Sequence, residues 1–371
     1  MNGATVRPAL SFILCSRNDN YMGNSLWRLQ TSINLLAREA TRLGRAHDIE
    51  ILVSDWGSTE PLREAVQLTA EASALTSFVL TPPPQARALQ GDSPFAEVYA
   101  LNIAARRARG AYIGRIDQDT IVSRRFLRAF FDVYDGGRQL TLPLDRAYLF
   151  SARRQIPIEW VRSEPSLPRL ARVLAGIGRF MPVHEAKNFW RSPVGILMMH
   201  RAIWEEVGGF DERLIYYWWM DADLATRVAT KYPMVNLGAE LGYEFYHLEH
   251  FPRGQGDGNI ARASHRQLNP TWAAAGEGKA LNPNGADWGL AKESLAVEPH
   301  QDRADALASA SHRRSGKGSE LSLAKILGLL AKDWAEYVRL RLSWRRVRVR
   351  VAGVLRVARE RRRPTGPHRA A

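Results

Sequence analysis

Short apolar runs alternate with amphipathic stretches over the first 135 residues. Residues 10–15, 49–54, 78–80 and 112–116 read as strands, while Ser25–Arg42, 62–71 and 95–107 place apolar side chains at helical spacing. Alternation of this kind predicts a parallel sheet with crossover helices. Three of the predicted strands end in polar loops: Ser16-Arg17-Asn18-Asp19, Asp55-Trp56-Gly57-Ser58 and Asp117-Gln118-Asp119. Parallel strands share their carboxyl edge, so all three loops are expected on one rim of the sheet.

Regularity then weakens. Residues 136–188 carry Pro143, Pro157, Pro165, Pro168 and Pro182, which break any long element. A strand signal returns at 194–200, a helix at 202–207, and the turn Gly208-Gly209-Phe210-Asp211-Glu212 follows. The aromatic run Tyr216-Tyr217-Trp218-Trp219 precedes Met220-Asp221-Ala222-Asp223, which opens a helix expected to end near Tyr232. Residues 243–246 are strand-like. Residues 251–310 are rich in Gly, Asn, Pro and Ser and read as loops, with Trp288-Gly289-Leu290 the place able to dock.

At 45% hydrophobic residues, the 371-residue chain can bury a substantial core. The single cysteine, Cys15, lies in an apolar run; it permits no intramolecular disulfide and favours a reducing compartment. Residues 1–8 lack the basic and apolar regions of a signal peptide, and no run has membrane-spanning length. A cytoplasmic protein is expected, peripheral at most on the inner face of the cytoplasmic membrane. The net charge of +14 suggests a nucleic-acid binder until it is located. Residues 321–371 hold fourteen Lys/Arg against three acids, a net of +11, so the other 320 residues carry only +3. The body of the chain is nearly neutral, with a basic appendage.

Candidate chemistry concentrates at Asp117 and Asp119. In an extended chain, residues i and i+2 point to the same side, so both carboxylates can reach one ion or the phosphates it binds. Oxygen ligands of this kind suit Mg²⁺ or Mn²⁺. A plain surface turn after a strand would use the same residue types. The segment Asp117-Gln118-Asp119-Thr120 also satisfies the Asp-x-Asp-x-Thr pattern of haloacid-dehalogenase-like phosphatases, with Asp117 as nucleophile and Asp119 as general acid. That family places its motif on the first strand, whereas three strand–helix units precede it here. A nucleic-acid-binding protein acting through the arginine-rich tail is the remaining alternative, and it leaves the rim carboxylates idle.

The ordered set of motifs resembles a family 2 glycosyltransferase of the GT-A fold over roughly residues 8–250. The residues that carry the resemblance are Ser16–Asp19, Asp55-Trp56-Gly57-Ser58, Leu101-Asn102, and Ala108-Arg109-Gly110-Ala111-Tyr112-Ile113 leading into Asp117-Gln118-Asp119. Further along come Gly195, Gly208–Glu212, Asp221-Ala222-Asp223 with Arg227, and His247-Leu248-Glu249-His250. The resemblance implies a Rossmann-like, mostly parallel sheet flanked by helices over 1–255. Within it, 8–135 would be the nucleotide-sugar-binding half and 136–255 the acceptor and catalytic half. A loop and flexible linker over 256–320, a basic amphipathic helical region over 321–363 and a disordered tail over 364–371 would complete the chain.

The implied activity is metal-dependent, inverting transfer of a sugar from a nucleotide-sugar donor to a hydroxyl of a glycan or glycolipid, in bacterial surface polysaccharide synthesis. Asp55 would hold the donor base, with Ser16, Arg17 and Asp19 nearby. Asp119 would bind Mn²⁺ or Mg²⁺ and Asp117 the metal or the ribose. Asp221 would be the general base. In place of the usual Glu-Asp pair, the chain has Met220-Asp221 with a second acid at Asp223. Asp221 is favoured because Asp223 would lie about 200° away on the helix, where a structural cap suits it. Trp218 and Trp219 divide between core packing and stacking on an acceptor sugar. His247 is the first candidate for a metal imidazole; His250 is the second, or a contact to acceptor or phosphate.

In the tail, Leu323, Ile326, Leu327, Leu330, Trp334, Tyr337 and Val338 follow helical spacing, and a second stripe continues among arginines to Leu355. Residues 321–363 have the profile of an interfacial helix attracted to an anionic membrane surface, or of a helix packed on a partner. No nucleic acid is expected.

Overall fold

A computed structural model describes residues 7–184, 195–216, 219–250, 269, 278–300 and 321–339. The chain divides into two units, Met1–Leu321 and Ser322–Ala371.

The first unit is built on an eight-stranded sheet. Its strands are β1 (Leu10–Ser16), β2 (Ile49–Trp56), β3 (Thr76–Thr81), β4 (Tyr112–Arg115), β6 (Tyr148–Ser151), β9 (Ile196–His200), β10 (Met234–Asn236) and β12 (Glu298–Pro299), in the order β10-β6-β9-β4-β1-β2-β3-β12. Pairing is parallel except that β9 runs against β4 and β6, and β12 runs against β3. β1 and β2 are buried almost throughout, as expected of central parallel strands covered on both faces. Their side chains split between two cores. Leu10, Phe12 and Leu14 pack with α1 (Ser25–Arg42) and α6 (Arg124–Tyr134), whereas Ile13 packs with α5 (Glu97–Arg107), α9 (Arg201–Val207) and α10 (Met220–Ala229). This is the mostly parallel, helix-flanked α/β architecture expected from the pattern. Glycine is required at Gly110, where a Cβ would lie 2.5 Å from the Ser11 nitrogen, so β1 and the approach to β4 can close together.

A second, four-stranded sheet has the order β5-β11-β7-β8, from β5 (Thr120–Val122), β11 (Phe245–Leu248), β7 (Arg153–Ile156) and β8 (Val183–His184). It matters for the site because β5 begins right after Asp119, and its partner β11 carries His247 opposite Thr120.

Three sequence expectations differ from what is observed. The helix over 62–71 is two short ones, α2 (Leu62–Ala65) and α3 (Ala70–Leu75). Between them, Asn34 of α1 donates to the Gln67 carbonyl and accepts from the Thr69 N–H, while Gln30 accepts from the Gln67 N–H. An unpredicted helix, α4 (Pro83–Gln90), starts on consecutive prolines, whose fixed φ suits a first turn. Finally, residues 278–300 are not a flexible linker. Trp288 is buried, Arg107 donates to the carbonyls of Gly289, Leu290 and Glu293, and β12 extends the sheet. The remainder of 256–320, apart from Asn269, lies outside the described residues, as do 340–363 and 364–371.

The small helices α7 (Ile158–Val161), α8 (Leu167–Ile177) and α11 (Leu237–Leu241) complete the first unit. The second unit is described through one helix, 323–339. Among the described residues no helix is long and apolar enough to cross a membrane.

Candidate functional site

The three polar loops do share one rim, because β1 runs parallel to both β2 and β4. A groove of about 420 Å³ lies there, lined by Arg17, Asn18, Asp19, Trp56, Gly57, Ser58, Arg87 and Gln90 among others. Its floor is fixed by Trp56, which donates Nε1–H to Gln90 at 2.9 Å and stacks on Tyr99 with ring centroids 6.1 Å apart. Gly57 adopts φ +74°, and a Cβ there would meet Ala86 at 2.8 Å, so the wall between loop and helix admits only glycine. Arg17 pairs with Asp19 at 2.6 Å and lies over Phe95. Ser16 donates to Gln118, joining the first loop to the Asp117–Asp119 loop.

Asp55 does not line this groove. Its carboxylate accepts from the Leu62 N–H at 2.7 Å and the Ser58 N–H at 3.3 Å, and the residue is buried. Burial pushes its pKa up, with the Ser58 and Leu62 hydrogen bonds pulling the other way. Asp55 thereby shapes the loop that carries Ser58.

Beside the groove, Asp119, His247 and His250 converge, with one ligand atom from each lying within 4.8 Å of the others. His250 Nε2 is 3.0 Å from Asp119 Oδ2, and His247 Nε2 is 3.4 Å from Oδ1. Chain topology produces this. β11 pairs antiparallel with β5, the Leu248 N–H donates to the Asp119 carbonyl, and His247 and His250 therefore flank the Asp119 side chain. Neither ring nitrogen of His247 makes a hydrogen bond among the described residues, although the side chain is 3% exposed. Its Nδ1 lies 3.6 Å from Glu249 Oε2, so the ring is held between two carboxylates. One carboxylate with two imidazoles is a donor set that divalent transition-metal ions accept. The residues therefore fit a divalent ion.

Asp119 is also the most heavily compensated carboxylate of the site. Arg28 of α1, wholly buried, donates to its Oδ2 at 3.1 Å, and Arg153 of β7 lies 3.9 Å from Oδ1. Burial alone would raise the Asp119 pKa, but His247 and His250 outweigh it and hold it well below the usual range. His247 is displaced upward, its two carboxylate neighbours overcoming burial and Arg153, whereas burial carries His250 downward. Arg28 has a second duty, donating to the carbonyls of Tyr21 and Gly23. These lie in a turn where Asn20, Met22, Gly23 and Asn24 all have positive φ. Tyr21 meets the His250 ring edge-on at 6.0 Å.

Asp117 is not part of the Asp–His–His group. Arg115 holds its Oδ1 at 2.8 Å and Arg153 donates to Oδ2. A carboxylate braced between two guanidiniums is a poor nucleophile, which weighs against the phosphatase pattern.

The two acids of α10 separate cleanly. Asp223 is fully buried between Arg227, at 2.8 Å, and Lys279, which also reaches Asp211 at 2.7 Å. Asp221 instead faces the rim, 3.9 Å from Arg115 Nη1 and 17% exposed, and its Oδ1 has no hydrogen-bond partner among the described residues. Burial raises its pKa; Arg115 opposes that and Asp117 adds to it. Trp219 adopts φ +74° at the start of α10, and Trp218 lies outside the described residues.

Sequence reasoning missed Arg28, Glu97, Arg115 and Arg153. Arg115 binds Glu97 at 2.7 Å, Asp117 and Asp221 together, linking the two halves of the site. Its signal was available: an arginine inside the apolar run 112–116 of a strand buried on both faces needs carboxylate partners.

No protein-family model and no curated protein matches the chain. Solved structures do. They include S. aureus TarS 1–349 in complex with UDP-GlcNAc, at 14% identity over 76% of this chain and 70% of that one, TM-score 0.41. S. aureus TarS itself matches at 15% identity over 64% of this chain and 36% of its own length, TM-score 0.36. The catalytic domain of Drosophila beta1,4-galactosyltransferase 7 in complex with xylobiose matches at 12% identity, over 65% and 70%, TM-score 0.34. The chain thus spans about a third of the TarS structure, and at these identities and TM-scores all three likenesses are distant.

Proposed function

We propose that the chain is an inverting, metal-dependent glycosyltransferase that uses a nucleotide-sugar donor and a hydroxyl acceptor on a glycan or glycolipid. The observation that carries this is the convergence, on one rim, of three features: the Trp56-floored groove, the Asp119–His247–His250 group and the Asp221 Oδ1, which accepts no hydrogen bond from the described residues. The groove would take the nucleoside, with Ser16, Arg17 and Asp19 at its mouth. Asp119, His247 and His250 would hold the divalent ion, which, when bound, supplies Lewis-acid neutralisation of the nucleoside-diphosphate leaving group. Asp117, set by Arg115 and Arg153, suits the ribose hydroxyls.

Asp221 accepts the proton of the acceptor hydroxyl as that oxygen forms its bond to the anomeric carbon and the bond to the donor phosphate breaks. A base in this role must be a carboxylate with a free lone pair near the rim, which Asp221 has and Asp223 lacks. Arg115, 3.9 Å away, opposes the rise that burial causes in the Asp221 pKa and so favours the ionised form. A peripheral role in bacterial surface polysaccharide synthesis is part of the same reading. Asp221→Asn tests it: turnover should fall by about 10²–10⁴-fold with donor affinity retained. Turnover unchanged in Asp221→Asn would remove Asp221 from the reaction.

A further inference from the structure

Half of the exposed large apolar side chains in the described chain sit on one helix, 323–339: Leu323 at 50%, Leu327 at 47%, Trp334 at 41% and Val338 at 47%. At ~100° per residue these four fall within about 60° of one another, a continuous stripe roughly four turns long. Ile326 and Leu330 of the same helix are buried, and Leu329 and Tyr337 are half-buried. Lys325, Lys332 and Arg339, spaced seven apart, fall within about 40° of each other, beginning about 100° from the stripe. The helix therefore carries an exposed apolar strip on one face and a cationic row on the opposing face, their centres about 150° apart. Trp334 and Tyr337, whose rings meet edge-on at 5.4 Å, add the amphipathic aromatics that favour a boundary between water and hydrocarbon.

We propose that this face of helix 323–339 docks onto an anionic lipid surface, with Leu323, Leu327, Trp334 and Val338 entering the headgroup boundary and the basic row lying among lipid phosphates. Charge selects this occupant. Residues 321–371 carry fourteen Lys/Arg against three acids, read from the sequence through 371. A second copy of the chain would oppose one +11 segment to another, whereas anionic headgroups neutralise it. A nucleic acid would satisfy the arginines but leave four exposed apolar side chains without a use. Arginine and lysine beside Trp and Leu on one helix is the composition that partitions into an interface without spanning the bilayer. The inference is independent of sugar transfer.

The test uses the full chain and vesicles of phosphatidylcholine alone or mixed equally with phosphatidylglycerol. The protein should sediment with the mixed vesicles, release as salt rises, and ignore phosphatidylcholine alone. Leu327→Asp with Trp334→Asp removes apolar contacts without touching a buried position, and should weaken partitioning by about tenfold or more while the circular dichroism and nucleotide-sugar binding are unchanged. Leu327→Ala with Trp334→Ala should give a smaller loss in the same direction. Partitioning unaffected by either pair would overturn the proposal. So would a dimer in ultracentrifugation that the same substitutions dissolve while vesicles go unbound, or retention on duplex RNA in preference to vesicles.

Discussion

Arg28→Met separates two effects that the buried pair with Asp119 combines. Without metal, the guanidinium compensates a carboxylate that is 5% exposed, and it also satisfies the carbonyls of Tyr21 and Gly23. Removing one partner of a buried pair costs about 3–5 kcal/mol. Here His250, His247 and Arg153 remain near Asp119, so about 3 kcal/mol, the low end of that range, is expected in EDTA. With a divalent ion the sign reverses. Arg28 Nη1 and the ion compete for the same carboxylate, and a unit charge ~4 Å from a divalent ion is repelled by about 8 kcal/mol at an effective dielectric of ~20. The preorganisation lost with Arg28 amounts to about one or two hydrogen bonds, ~1 kcal/mol each. Repulsion dominates, so Arg28→Met should bind Mn²⁺ more than about tenfold tighter than the parent, a gain of ~1.4 kcal/mol or more. Calorimetric titration with Mn²⁺ and thermal unfolding in EDTA and in Mn²⁺ would read both effects. A variant that is folded but binds Mn²⁺ no better, or more weakly, would show that Arg28 positions Asp119 for the ion instead of competing with it.

Two further outcomes follow from the electrostatics. Asp221 has a raised pKa that Arg115 restrains, and a base works only when ionised; Arg115→Met should therefore move the acid limb of kcat/KM to higher pH, and an unmoved limb would separate Arg115 from the base. Asp211 lies well below the usual carboxylate range, because its hydrogen bonds with Arg213 and Lys279 outweigh the rise that burial would cause. A depressed folded pKa gives stability that is full above the unfolded value of about 3.9 and is lost as pH falls toward the folded one. Lys279→Met should cost about 3 kcal/mol at neutral pH and flatten the loss below about pH 4, measured by denaturant titration across pH; an equally steep acid loss would contradict the assignment.

Local patterning made the first half of the fold legible. α1 has the predicted ends, β1 and β2 run one or two residues past theirs, and the rim follows from parallel pairing alone. What escaped was set by contacts distant in sequence. The break in 62–71 is made by Asn34 and Gln30, about 35 residues away. Residues 278–300 look like linker in composition, with docking expected only at Trp288–Leu290, yet Arg107 also holds the Glu293 carbonyl and β12 joins the sheet. The site divides in the same way. The carboxylate pair and both histidines stand out by type and order, but the position of His250 beside Asp119 depends on β11 pairing with β5 across more than a hundred residues. Arg28 sits in an amphipathic helix where an arginine reads as surface. Asp55 stands out as a binding acid, whereas its hydrogen bonds to the Ser58 and Leu62 N–H groups depend on how its loop folds back.

The central claim is that Asp119, His247 and His250 make nucleotide-sugar binding depend on a divalent ion. Titration of the full chain with a panel of nucleotide sugars, in Mn²⁺ and in excess EDTA, tests it most directly. The account predicts binding of at least one donor in Mn²⁺ that disappears in EDTA and in Asp119→Asn. Equal binding in EDTA, or undiminished binding by Asp119→Asn in Mn²⁺, would contradict it.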